Sequence, residues 1–206
     1  MKRHDQKIYL GSKSQRRREL LRQIGVDFEL LLLRDSLPRS PEVDESVLPD
    51  EAAEVYVHRV TLDKLACAQR IMHMRKLPSR PILAADTCVV VDEQILGKPA
   101  DQAEARAMLA LLSGRTHQVM TCVAVTLHEQ IWQTTQTSSV TFHTLSKESI
   151  HAYCTGSEPY DKAGGYGIQG TAALFIREII GSYSGIMGLP RFETAQLLQQ
   201  AGIRIL

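Results

Sequence analysis

Ile82-Leu83-Ala84-Ala85-Asp86-Thr87-Cys88-Val89-Val90-Val91 is the strongest strand signal in the chain, an apolar run broken in its middle only by Asp86-Thr87. What surrounds it decides the fold. Toward the N-terminus, 51–74 carries Val55, Val60, Leu62, Leu65 and Ile71 at roughly helical spacing and meets no proline until Pro78, so it reads as a long helix. Residues 34–50 hold three prolines and several acids, the mark of a long loop of the kind that often carries function. Phe28 to Leu33 reads as a second, buried strand. Ile8 to Leu10 reads as a short strand, followed by Ser14 as the N-cap of a helix that Gly25 ends.

Toward the C-terminus, Gly97-Lys98-Pro99 is a turn and Asp101 caps a helix to about Leu112. Residues 116–127 and 131–142 alternate and are β-rich, with His128-Glu129-Gln130 as the hairpin joint. Ser146 starts a short helix, Ala173 to Ile180 is a last strand, and Pro190 to about Ala201 a last helix. Early strands separated by helices and late strands joined as hairpins predict an α/β fold: a mixed twisted sheet flanked by helices around a central cleft. No domain linker or internal repeat interrupts the pattern, so 1–206 reads as one domain, with loop 34–50 on the rim of the cleft.

The 206 residues are long enough to bury a real core, and 44% apolar with 23% charged residues is a globular composition. With 24 basic and 23 acidic side chains the formal charge is +1, which argues against a duplex-binding protein and leaves room only for a small polyanion site, such as the phosphates of a nucleotide. Cys67, Cys88, Cys122 and Cys154 stand singly, without metal-ligand spacing, and read as reduced, mostly buried thiols. Ile8-Tyr9-Leu10 is too short for a signal peptide, and no stretch approaches the roughly 20 apolar residues of a membrane span. The expectation is a cytoplasmic protein with no membrane or nucleic-acid partner.

Four polar clusters carry the chemistry. In Gly11-Ser12-Lys13-Ser14-Gln15-Arg16-Arg17-Arg18 a strand-to-helix turn offers free backbone N–H groups, and its arginines add bidentate donors for phosphate; the plain alternative is a solvated basic helix start. Asp86 inside its apolar run is expensive unless it is paired, binds a metal or faces a cleft. It is either a metal ligand or general base, or a carboxylate bonded to a backbone amide at a strand end. Glu42, Asp44 and Glu45 on the long loop could join it, or be a solvated acidic loop. Gly97-Lys98-Pro99 presents a lysine in a rigid turn, whereas Lys64 taken alone reads as a surface lysine. Tyr160-Asp161-Lys162-Ala163-Gly164-Gly165-Tyr166-Gly167-Ile168-Gln169-Gly170 crowds four glycines against two charges and an amide, as in a ligand-holding loop. Together they describe a site for a metal-complexed polyphosphate with a base reader. There is no P-loop, no nucleophile elbow and no H-E-x-x-H.

These motifs resemble those of the Maf family of nucleoside triphosphate pyrophosphatases, in particular the branch acting on dTTP and UTP. The family's S-x-S-P-R-R-x-x-L-L reads here Ser12 to Leu21, and its G-A-D-T reads Ala84-Ala85-Asp86-Thr87. G-K-P-x-D is Gly97 to Asp101, S-G-x-x-H-x-V-x-T is Ser113 to Thr121, and D-K-A-G-x-Y-G-I-Q-G is Asp161 to Gly170. A G-x-Y-x-x-x-x-G-L-P match covers Gly181 to Pro190. The departures are Gln15 for proline, Ala84 for glycine, Leu65 for a small residue and Gly165 for alanine; none removes a charged site residue.

The resemblance implies a Maf/ITPase-like fold and hydrolysis of a nucleoside triphosphate between the α- and β-phosphates, with Mg²⁺ or Mn²⁺. It implies Asp86 as the proton acceptor and, with Glu45, as metal ligand. Arg17, Thr87 and Gln169 match positions tied to substrate choice, and Ser12, Arg16, Lys64, Lys98 and Lys162 match those around the phosphates. Gln169, expected as a buried amide, would pair with a uracil or thymine edge, with CTP and modified pyrimidine nucleotides as further substrates. The Y-G-I-Q-G form argues against 7-methyl-GTP. A homodimer is implied by resemblance only. The competing reading is a nucleotide-binding regulator of septum formation with little turnover.

Overall fold

The computed structural model describes residues 6–31 and 43–205. Their strands form one seven-stranded sheet, built on β3 (Ile82–Val91), the run that dominates the sequence. On one side β3 pairs parallel with β1 (Ile8–Leu10), which pairs parallel with β2 (Phe28–Leu30). On the other side it pairs antiparallel with β5 (Thr116–Leu127), which continues through β6 (Gln130–Phe142) to β7 (Ile176–Ile180); β4 (Gln94–Leu96) also pairs antiparallel with β3. The parallel half is the half whose strands are separated by helices α1 (Gln15–Gln23) and α2 (Ala53–Met74). Hairpins join β3 to β4 and β5 to β6, whereas one helix lies between β4 and β5, and another, with 3-10 turns, lies between β6 and β7.

Strand alternation sends successive β3 side chains to opposite faces. Ile82, Ala84, Cys88 and Val90 pack on α2, against Leu65, Ala68 and Ile71 at one end and Ala53, Val57 and Val60 at the other. Leu83 and Ala85 pack on Leu20 and Leu21 of α1 and on Leu197 and Leu198 of α6 (Arg191–Gln200). Val89 and Val91 meet Ala105, Met108, Leu109 and Leu112 of α3 (Gln102–Leu112), beside Ile150 and Tyr153 of α4 (Lys147–Cys154). Three helix groups on two faces explain why nearly every residue of β3 is buried. Caps were legible: the Ser14, Asp101 and Ser146 side chains each accept from a backbone N–H in the first turn of the helix they precede.

Two expectations need correction, and two elements went unforeseen. The strand at Phe28 is an edge strand, not a buried one: Glu29 and Leu30 are exposed, and Glu29 pairs with Lys7 and Arg80, charges that discourage edge-to-edge association. Residues 32–33 of that predicted strand, and residues 34–42 of the long loop with Glu42 among them, lie outside the described residues. The strand expected from Ala173 begins at Ile176, because 171–175 form a 3-10 turn whose three-residue period buries Ala172 and leaves Leu174 76% exposed. β4 and a one-turn helix, α5 (Tyr183–Ile186), were not foreseen.

The four cysteines are free and buried, as expected. Among the described residues no helix is long and apolar enough to cross a membrane.

Candidate active site

The same alternation that builds the core splits the polar interruption of β3, directing Asp86 toward α2 and Thr87 toward α1. Asp86 sits mid-strand and is 7% exposed, so it is not a carboxylate capping a strand end. Its partner is Lys64 of α2, whose Nζ lies 2.6 Å from Asp86 Oδ1 and 2.8 Å from Glu45 Oε1. Read alone Lys64 looked like a surface residue; in the fold its side chain is 17% exposed and bridges two carboxylates.

Loop residues 43–51 are fastened to α2. Arg59 pairs with Glu51 and donates to the carbonyls of Asp44 and Ser46, and the Tyr56 hydroxyl donates to the Glu45 carbonyl at 3.1 Å. Burial would raise the Glu45 pKa, but the Lys64 hydrogen bond and the charges of Lys64, Lys98 and Arg17 outweigh it and hold it below the usual glutamate value. Burial and the neighbouring Asp86 charge push the Cys88 thiol up to about 12, leaving it unreactive.

Cationic side chains line the same cleft as this pair. Arg16 Nη1 lies 3.4 Å from Asp161, which Lys162 also pairs with, so one aspartate holds together an arginine of α1 and the lysine of the glycine loop. Lys98 is exposed on its turn, and that turn is tied to the glycine loop by a 2.9 Å bond from Gly164 N to Gly97 O. Arg17 behaves differently. Nε donates to Gly188 O at 2.8 Å, Nη1 to Ser12 Oγ at 3.2 Å and Nη2 to Thr87 Oγ1 at 3.2 Å. Burial lowers the Arg17 pKa, partly offset by Asp86.

The glycine loop needs its glycines at two places for visible reasons. Gly164 has φ +68° and would put a Cβ 3.0 Å from the Val89 side chain, while a Cβ on Gly170 would lie 2.2 Å from Glu158 Oε1. That Glu158 carboxylate accepts from Thr171 N, Ala172 N and the Tyr153 hydroxyl, capping the turn that follows the loop. Beneath the loop the Tyr166 hydroxyl meets His117 Nε2 at 2.6 Å, with the rings edge to face. Burial lowers the His117 pKa to about 4 and raises that of Tyr166. Gln169, expected as a buried amide, is exposed instead.

One cleft of about 1280 Å³ is lined by Ser12, Arg16, Arg17, Glu45, Lys64, Asp86, Thr87, Lys98, Lys162 and Gln169, which come from six separate stretches of chain. Asp161, Glu158 and Tyr56 also line it and were not singled out by sequence reasoning. Asp161 lay in plain view beside Lys162, but a carboxylate in a phosphate-binding loop has no obvious role until its two cationic partners are placed. Among the described residues no three His, Cys, Asp or Glu side chains cluster as a complete metal cage. Glu45 and Asp86 converge on a single cationic atom, however, and two carboxylates completed by substrate phosphates suit Mg²⁺. The two carboxylates therefore fit a divalent metal as partial ligands.

A mixed α/β sheet carrying a cleft lined by basic side chains and paired carboxylates defines a protein that handles a polyanion. The chain belongs to the Maf family: the profile described as Maf-like protein matches residues 7–201. Among similar sequences, the dTTP/UTP pyrophosphatase of Nitrosomonas europaea is 50% identical over 198 residues, covering 96% of each chain. That of Aromatoleum aromaticum is 51% identical over 197 residues, covering 95% of this chain and 96% of its own. Among solved structures, the Staphylococcus aureus Ham1 protein aligns with a TM-score of 0.42 at 13% identity, covering 66% of this chain and 71% of that one.

Proposed function

We propose that the protein is a nucleoside triphosphate pyrophosphatase that hydrolyses dTTP and UTP to the monophosphate and pyrophosphate. The observation that carries this reading is that Asp86 and Glu45, joined through Lys64, line the same cleft as Arg16, Lys98 and Lys162. The names of relatives about half identical over nearly the whole chain support the substrate choice.

Asp86 takes a proton from water as the water oxygen bonds to the α-phosphorus. The bond from that phosphorus to the α–β bridging oxygen breaks, and its electron pair leaves with pyrophosphate. Lys64, held between the two carboxylates, fixes the position of Asp86 through its 2.6 Å ion pair. Arg16 and Lys162 exchange Asp161 for phosphate oxygens as substrate enters, while Lys98 and Ser12 bind the remaining charge. The family context makes the enzyme metal-dependent; Glu45 and Asp86 would hold Mg²⁺ or Mn²⁺, which would neutralise charge on the phosphates. Gln169 reads the base from the rim and Thr87 from the floor.

The same reading makes the chain one domain with two lobes around the cleft, acting in the cytoplasm as a homodimer. Free, buried cysteines are what a reducing compartment permits. Asp86→Asn tests the chemistry: hydrolysis should fall by about 10²- to 10⁴-fold with nucleotide binding retained. Near-normal turnover in that variant would remove Asp86 from the role of base, and binding without turnover in the wild type would favour a nucleotide-responsive regulator.

A further inference from the structure

The Gly181 to Pro190 motif contributes no charged group to the reaction above, yet its backbone closes a ring of hydrogen bonds around Thr87. Arg17 Nη2 donates to Thr87 Oγ1 at 3.2 Å. Thr87 Oγ1 and Thr121 Oγ1 are 2.9 Å apart, and Thr121 Oγ1 lies 2.8 Å from Gly185 O. Gly185 O also accepts from Gly188 N at 2.8 Å, and Gly188 O accepts from Arg17 Nε at 2.8 Å, which returns to the start.

Counting protons fixes the direction of this ring. A carbonyl oxygen can only accept, so the single hydroxyl proton of Thr121 is spent on Gly185 O. Thr121 can then only accept from Thr87, which spends its own proton there. A guanidinium can only donate, so one lone pair of Thr87 is taken by Arg17. What remains on Thr87 is one lone pair and no proton. Thr121 is fully buried at 0% exposure, so water does not compete for these bonds. Gly188, at φ +107°, lies beside Thr87, and a Cβ there would approach Thr87 Oγ1 to 3.4 Å.

We infer that Thr121 is a positioning residue for base choice: by taking the Thr87 proton, it makes Thr87 an obligate acceptor in the cleft, matched to a substrate N–H. This rests on the reading that the cleft takes pyrimidine triphosphates, and it deepens that reading. Uracil and thymine carry a proton on N3, whereas the N3 of cytosine is itself an acceptor. Two facing acceptors repel, and a desolvated site with an unpaired polar group discriminates strongly. The thymine methyl is remote from this contact, so UTP and dTTP are treated alike.

The test compares wild type with Thr121→Val, which keeps the shape and loses the hydroxyl, and Thr121→Ser, which keeps the hydroxyl. Freed from Thr121, the Thr87 proton can turn to the cleft and meet cytosine N3. The wild-type preference for UTP over CTP in kcat/KM should collapse at least about tenfold in T121V, largely through KM, and be restored in T121S. Unchanged preference in a folded T121V would overturn the inference, and T121A gives the same readout should the valine variant fail to fold. One arm needs no variant: UTP methylated at N3 should bind wild type no better than CTP does, and binding equal to UTP would overturn the inference. Affinities for non-hydrolysable α,β-imido UTP and CTP, measured by titration calorimetry, separate the two claims. A uracil preference that T121V abolishes, in a protein that hydrolyses neither nucleotide, would refute the enzyme reading and leave this one standing; no uracil preference in wild-type binding would refute this one.

Discussion

His117 should make the fold acid-sensitive well above the range in which carboxylates titrate. Its ring is 2% exposed, packed edge to face on Phe142 and Tyr166, with the Tyr166 hydroxyl on Nε2 and no hydrogen-bond partner for Nδ1. Burial therefore favours the neutral ring and lowers its pKa from 6.5 to about 4. The sign follows. A histidine whose folded pKa is depressed binds fewer protons in the folded state, so its contribution is complete above the unfolded value near 6.5 and disappears as pH falls toward 4. A shift of this size amounts to about 2 kcal/mol lost between pH 7.5 and pH 5, and about 3 kcal/mol once pH is well below 4. Urea unfolding of wild type and His117→Phe at pH 7.5, 6 and 5 isolates the effect, since the other titrating groups are common to both. The phenylalanine variant should begin less stable, having lost the Tyr166 bond, and the gap should close by about 2 kcal/mol at pH 5. A gap that stays constant over this range would refute the burial argument.

Further outcomes concern the cleft itself. Lys64→Met removes the cation between Glu45 and Asp86, so turnover should drop at least about tenfold. Turnover near the wild-type rate in this variant would separate Lys64 from the work of Asp86. Gln169→Ala should reduce discrimination among bases by about tenfold while leaving pyrophosphate inhibition unchanged, and equal loss with every nucleotide would contradict its role as base reader. Gly170→Ala should displace the Glu158 carboxylate from Thr171 N and Ala172 N, costing about 1–3 kcal/mol of stability and raising KM, which thermal unfolding and steady-state kinetics would show.

The sheet was legible because its strongest strand announces itself and because Ser14, Asp101 and Ser146 mark their helices. β4 was not, since the turn before it is Asp92-Glu93: both residues adopt positive φ, as a tight two-residue hairpin demands, without the asparagine or glycine that usually signals it. Residues 173–175 of the 3-10 turn read as strand because a short apolar run does not reveal its period. In the site, the residue types were readable but not their partners. The bridging position of Lys64 depends on α2 crossing β3, and the ring through Thr121 depends on a carbonyl of Gly185, which no side-chain motif encodes. Gln169 could not be placed as exposed from sequence, because its loop of glycines carries no burial pattern.

Pyrophosphate release from dTTP, UTP, CTP, GTP and ATP, measured with Mg²⁺ or Mn²⁺ and with a chelator, tests the central claim most directly. Turnover of dTTP and UTP ahead of the others, abolished by the chelator, is the predicted result. Nucleotide binding with no pyrophosphate released from any of them would contradict it.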